Sequence, residues 1–131
     1  MNHDRVKYWL ELADDDADTA KWLLKGNRLL HCGYFCHQVV EKAFKAMVAS
    51  KSNESVPKIH DLPKLADLGG FWDLLSDEQQ QAVDKLIPLQ IEARYPEHKE
   101  KLSERLTAEF CEGLIIEAEG LLCWTKQQLE K

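Results

Sequence analysis

The segment FCHQVVEKAFKAMV, residues 35–48, separates into two halves when it is wound as an α-helix. At about 100° per residue, one half of the cylinder carries Phe35, Cys36, Val39, Val40, Ala43, Phe44, Ala46 and Met47. The other half carries His37, Gln38, Glu41, Lys42 and Lys45. Because so wide an apolar face needs several partners, the segment predicts a central helix of a helical bundle.

Helical periodicity and helix-capping residues mark the partners of this central helix, which is predicted from Leu29 or Leu30 to about Lys51. The predicted partners are a helix over 5–25 that ends at Gly26-Asn27, a short helix over 61–68, a helix from the Ser76 capping box to near Pro88, and a helix over 107–129. No segment alternates like a β-strand. The sequence therefore predicts an all-α fold of four long helices plus a short helix, in one domain over residues 1–131.

The bulk composition narrows the class of protein. A chain of 131 residues with 44% hydrophobic residues is long enough to bury a core. A net charge of −6 argues against a large basic surface that would bind nucleic acid, so DNA is not expected as a partner. No apolar run approaches the ~20 residues of a membrane span, and residues 1–5 lead into no signal-peptide core. We therefore expect a cytoplasmic protein without membrane contact.

The four cysteines lie within helical patterns, and reduced thiols are the expectation. Cys32 and Cys36 are four residues apart, a spacing at which two thiols can hold a soft metal from one helix face. Both lie on the apolar arc, however, where a thiol behaves as a small hydrophobic group. Because phosphate-loop, HExxH and paired CxxC motifs are also absent, we predict neither a metal nor a cofactor.

Arg94-Tyr95-Pro96-Glu97-His98 is the stretch best suited to chemistry. A guanidinium can hold a phosphate, and an imidazole can move protons near neutral pH. One interpretation is metal-independent RNA cleavage, in which His98 acts as general base or acid and Arg94 stabilises charge on phosphorus. The alternative is that Arg94 forms an ion pair with a nearby acid and His98 is solvated.

His60 precedes Asp61, which is predicted to cap the short helix. Two interpretations are open for this histidine as well. It is either a catalytic base or an element of loop packing and capping.

Three stretches together resemble the HEPN-domain family, and the resemblance covers nearly the whole chain. They are Phe35-Cys36-His37-Gln38-Val39-Val40-Glu41-Lys42-Ala43-Phe44-Lys45-Ala46, His60-Asp61-Leu62-Pro63-Lys64-Leu65 and Ala93-Arg94-Tyr95-Pro96-Glu97. The resemblance implies an up-and-down bundle, a homodimer, and often a minimal nucleotidyltransferase as partner in a toxin–antitoxin module. It also implies a nucleotide or RNA as ligand, with Arg94, Tyr95 and His60 as the candidate ligand-binding residues.

Many members of this family are metal-independent endoribonucleases whose arginine is followed by four to six residues and a histidine. In this chain three residues separate Arg94 from His98, the candidate catalytic pair, and one of them is Pro96. The shortened spacing favours a protein that binds a nucleotide or RNA. An endoribonuclease toxin that uses Arg94 and His98, and a non-catalytic dimeric interaction module, remain as alternatives.

Overall fold

A computed structural model describes residues 2–90 and 104–131. Its α-helices are α1 (Asn2–Lys25), α2 (Leu29–Lys51), α3 (Leu62–Leu68), α4 (Asp77–Leu86) and α5 (Ala108–Leu129). Two 3-10 helices, Trp72–Leu74 and Ile87–Gln90, follow α3 and α4. The described residues contain no strand, and the predicted all-α fold is confirmed.

Side chains cap α3 and α4 at the predicted positions. The Asp61 carboxylate accepts a hydrogen bond from the backbone N–H of Lys64 at 3.1 Å and begins α3. The Ser76 hydroxyl accepts from the N–H of Gln79 at 3.1 Å, and the Gln79 side chain accepts from the N–H of Ser76 at 2.8 Å. Each of these bonds satisfies a backbone donor that the first helical turn leaves free, so α3 and α4 begin at defined residues.

The turn between α1 and α2 reverses the chain. Asn27 adopts a left-handed conformation with φ of 59°. The N–H of Arg28 donates to the carbonyl of Leu23 at 2.8 Å, which closes the end of α1. The Arg5 guanidinium, near the start of α1, donates to the carbonyl of Ser52, just beyond α2, at 3.0 Å. The two helices therefore run antiparallel along their full length.

Ion pairs give the direction of α5. Lys126 lies 2.8 Å from Asp14, and Lys21 lies 2.8 Å from Glu119. Later residues of α1 thus pair with earlier residues of α5. Both α2 and α5 therefore run antiparallel to α1, as in an up-and-down bundle.

Helix α4 completes the bundle and ends where proline predicts. It stops at Leu86, and the 3-10 helix Ile87–Gln90 contains Pro88. This short element packs closely on α2. A methyl group added at Gly33 would lie 3.2 Å from Leu89 Cδ1, so glycine permits the close approach.

Three of the four thiols belong to the core. Cys32, Cys36 and Cys111 are buried, Cys123 is exposed, and all four are free. Contact with the Cys32 thiol, together with burial, raises the pKa of Cys111 well above its usual range. Within the described part of the chain, no group of three or more His, Cys, Asp or Glu side chains is arranged to hold a metal.

Within residues 2–90 and 104–131, no helix combines the length and the apolar character required to cross a lipid bilayer.

Candidate functional site

The polar half of α2 is mostly buried. His37, Glu41 and Lys45 follow one another at intervals of four residues and therefore lie along one line of the helix. Their side chains are 1%, 3% and 7% exposed, respectively. Helix α2 is thus enclosed on its polar side as well as its apolar side. Ionisable groups in such a place are costly unless they are paired.

The Glu41 carboxylate is the centre of this row. One oxygen, Oε2, accepts a hydrogen bond from Lys45 Nζ at 3.0 Å. The other, Oε1, lies 3.0 Å from Nδ1 of His60 and 3.7 Å from Nδ1 of His37. The Lys45 ammonium also lies 5.3 Å from the centre of the Trp9 ring, at the distance of a cation–π contact. We call His37, Glu41, Lys45 and His60 the Glu41 cluster.

His37 is the neutral member of the cluster. Burial lowers its pKa to about 4, although the neighbouring Glu41 carboxylate acts in the opposite direction. Its Nδ1 is buried and has no hydrogen-bond partner. Because His37 is uncharged near neutral pH, Lys45 supplies the positive charge that balances Glu41.

His60 connects the buried cluster to the surface. Its side chain is 49% exposed, whereas the carboxylate that it contacts is almost fully enclosed. The residue lies two positions before α3, and Asp61, which stands between, is the residue that caps this helix. Capping therefore does not account for His60. The described partner of its imidazole is the Glu41 side chain of α2, 19 residues earlier in the chain.

A cavity of about 570 Å³ opens beside His60, between the start of α3 and the 3-10 helix Ile87–Gln90. We call it the His60 cavity. Its apolar walls are Leu62, Pro63, Ile87 and Pro88. Its polar groups are His37, His60, Asp61 and Gln90. Apolar walls with a few polar groups at the edge are typical of sites for small organic ligands.

The candidate site residues of the sequence fall into two groups. The structure places His60 at this cavity, next to Glu41. Arg94, Tyr95 and His98 lie outside the described residues. Gln90, the last residue described before them, lines the cavity, and Arg94 follows it by four positions in the sequence.

Sequence reasoning missed Glu41, Lys45 and His37 as members of a site. It placed them in the polar half of a helical wheel, where charged residues are common. The available signal was their spacing: a histidine, a glutamate and a lysine stand at successive i, i+4 positions in the helix predicted to be central. Glu41 and His60 belong to segments that are distant in the sequence, so no local pattern indicates that they pair.

Comparison with known proteins agrees with this architecture. No curated protein matches the sequence. The crystal structure of TT1696 from Thermus thermophilus is similar, with 22% sequence identity, a TM-score of 0.80, and coverage of 97% of this chain and 98% of that chain. At that identity the likeness concerns the fold. The family model described as HEPN domain matches residues 6–128. The protein therefore belongs to the HEPN domain family.

Proposed function

We propose that this protein binds a nucleotide or RNA at the His60 cavity, with Arg94, Tyr95 and His60 as ligand-binding residues. HEPN domains are helical domains with roles that concern nucleotides and RNA. The observation that carries the proposal is the cavity itself, which joins apolar walls to an imidazole held by a buried carboxylate. Its rim includes Gln90, four residues before Arg94 in the sequence.

The lining of the cavity suits the base of a nucleotide better than its phosphate, so we propose that different parts of the protein bind the two. The walls contributed by Pro63 and Pro88 suit the flat face of a base, and the Gln90 amide can hydrogen-bond to its edge. No Lys or Arg is among the described lining residues, and Asp61 repels an anion. The phosphate therefore belongs outside the cavity, and Arg94 is the group proposed to hold it.

Ligand-dependent stability tests this proposal. A nucleotide or short RNA at 100 times its dissociation constant should raise the free energy of unfolding by about 2.7 kcal/mol. Thermal denaturation with ATP, GTP or a short single-stranded RNA measures the effect. Arg94→Ala should abolish the shift, and Arg28→Ala, at an exposed arginine between α1 and α2, should retain it. The absence of a shift with every ligand would contradict the proposal and would favour a non-catalytic dimeric interaction module.

We extend the proposal to the partners of the protein. HEPN domains commonly dimerise, and we propose a homodimer here. The proposed second partner is a minimal nucleotidyltransferase in a toxin–antitoxin type module. Analytical ultracentrifugation tests the homodimer, because a monomer at micromolar concentration would exclude it. Co-purification with a nucleotidyltransferase encoded in an adjacent reading frame tests the second partner.

Metal-independent cleavage of RNA by Arg94 and His98 is the second candidate function. An arginine followed by a histidine, the order found in the ribonuclease members of the family, supports it, whereas the spacing of three residues is shorter than their four to six. The protein should then degrade RNA in the presence of EDTA, and Arg94→Ala or His98→Ala should stop the reaction. Undiminished cleavage by both variants would exclude this pair as the catalytic residues.

A further inference from the structure

A second cavity, of about 320 Å³, adjoins the 3-10 helix Ile87–Gln90, which also borders the His60 cavity. We call it the Arg105 cavity, after the arginine that lines it together with Leu89, Leu106 and Phe110. Leu89 and Leu106 are buried and form its floor.

The 3-10 helix separates the two cavities. Side chains three residues apart lie on the same side of such a helix. Ile87 and Gln90 have this spacing and both line the His60 cavity, whereas Leu89 lines the Arg105 cavity. Pro88 lines both. The two cavities are therefore neighbours that share the Pro88 ring as a wall.

Arg105 is the cation that this second cavity offers to a ligand. Lys85 also lines the cavity, but its Nζ lies 3.3 Å from each carboxylate oxygen of Glu117. Arg105 is exposed, and none of the residues that the structure describes forms a hydrogen bond or ion pair with it. The carboxylate in the lining, Asp84, belongs to α4, whereas Arg105 precedes α5. An anion is therefore expected on the α5 side of the cavity.

Phe110 supplies an aromatic surface beside this arginine. It lies in the first turn of α5 and is 38% exposed, although its side chain is large and apolar. Proteins bind single-stranded nucleic acid with this combination, because a base stacks on the ring while a cation contacts the phosphate. The Arg105 cavity thus has the groups that one nucleotide requires.

We propose that the Arg105 cavity is a second nucleotide subsite, so that the ligand of this protein is single-stranded RNA of at least two nucleotides and not a free mononucleotide. This inference rests on the proposed function, since the first base occupies the His60 cavity. Two consecutive bases lie on either side of Pro88, the second base stacks on Phe110, and Arg105 binds the phosphate of the second nucleotide. An RNA duplex does not fit, because its bases are paired and stacked on one another.

A length series of ligands tests the second subsite. Oligoadenylates and oligouridylates of one, two and four nucleotides, each with a 5′-phosphate, compete with a fluorescein-labelled single-stranded RNA octamer for the full chain, and fluorescence anisotropy measures the competition. The affinity should rise at least about tenfold from one nucleotide to two, because a stacked base and a phosphate contact are added.

Arg105→Ala should remove most of this rise and leave the affinity for the mononucleotide unchanged. The slope of log affinity against log salt concentration for the dinucleotide should also fall by about 0.7, the value for one phosphate contact on a single strand. Lys7→Ala, at an exposed lysine beside the opposite end of α5, should keep both the rise and the slope.

The stacking role of Phe110 is tested with variants that keep the side chain apolar or aromatic. Phe110→Leu should lower the affinity for the dinucleotide at least about fivefold, and Phe110→Tyr should retain it. Ile116→Ala, at a 72% exposed side chain of the same helix, should bind as the unmodified protein does. Circular dichroism checks the fold of each variant.

The outcomes separate this inference from the proposed function. Equal affinity for one and two nucleotides, or a rise of the same size in Arg105→Ala, would overturn the second subsite and leave the proposed function intact. Full affinity of Phe110→Leu for the dinucleotide would overturn it as well. Failure of the octamer and of the mononucleotides to bind at all would remove both proposals.

Discussion

Helices α2 and α5 have nearly the same length, 23 and 22 residues, but keep their ionisable groups in opposite environments. Helix α5 pairs Lys126 with Asp14 of α1 at a surface where the two side chains are 41% and 52% exposed. On helix α2, by contrast, the side chains of Glu41 and Lys45 are almost completely buried. Exposed pairs contribute little to stability, and a buried pair is often no better than apolar residues of the same volume. The buried charges on α2 therefore indicate a role other than holding the bundle together.

Removal of one buried partner should have the largest effect. Glu41→Ala is expected to lower the free energy of unfolding by about 3–5 kcal/mol, because Lys45 is left buried without its counter-charge. Urea denaturation monitored by circular dichroism measures the loss. The double variant Glu41→Leu/Lys45→Met removes both charges and should regain most of the stability. A double variant as unstable as the single one would show that the pair itself stabilises α2.

The pH dependence of stability sharpens the comparison through His37. Its folded pKa of about 4 lies below the ordinary 6.5, so between these values the unfolded chain binds a proton that the folded protein does not. The contribution of this pKa difference to the free energy of unfolding is fully present above pH 6.5 and is lost as the pH falls toward 4. It amounts to about 3 kcal/mol, since each pKa unit corresponds to about 1.4 kcal/mol.

Urea denaturation between pH 4 and 7 measures this contribution. His37→Gln should remove that part of the pH dependence, and His31→Gln, at an exposed histidine of the same helix, should keep it. Parallel curves for His37→Gln and the unmodified protein would contradict the prediction.

Glycine positions on the two helices should respond in different ways. A methyl group added at Gly113 of α5 would meet nothing within 4 Å, so Gly113→Ala should raise the free energy of unfolding by about 1 kcal/mol through helix propensity alone. At Gly33 of α2 the methyl group would lie 3.2 Å from Leu89 Cδ1, and this crowding should cancel the gain. Thermal denaturation compares the two variants. Equal gains would mean that α2 is packed no more tightly than α5.

The smallest effect is expected at the α5 surface. Lys126→Ala should cost less than about 1 kcal/mol, because both members of its pair with Asp14 are hydrated. The difference from the unmodified protein should shrink further at about 1 M salt. A salt-independent loss as large as that of Glu41→Ala would break the distinction between the two helices.

The ends of the helices could be predicted because the signals are local. Ser76 and Gln79 satisfy each other's backbone groups within four residues, and Asp61 does the same for Lys64. Pro88 removes a backbone donor, so the end of α4 could also be predicted from the sequence. The all-α fold follows from such signals together with the apolar periodicity.

The Glu41 cluster could not be predicted in the same way. A helical wheel separates apolar from polar residues, but it does not tell which polar residues another segment will cover. Glu41 is covered because the loop before α3 brings His60 to it, a contact between residues 19 positions apart. The position of the cavity depends in turn on how α3 and the 3-10 helix Ile87–Gln90 each pack on α2. These arrangements are tertiary, so residue spacing alone does not contain them.

The distribution of the thiols makes this protein convenient for spectroscopy. Alkylation proceeds through an accessible thiolate, and Cys32, Cys36 and Cys111 are all buried. Cys123, on the outer side of α5, is the one cysteine of the four that solvent reaches. A maleimide dye or nitroxide should therefore attach at a single native position. Pulsed electron paramagnetic resonance on such a sample would report the separation of two α5 helices in an oligomer without any engineered cysteine.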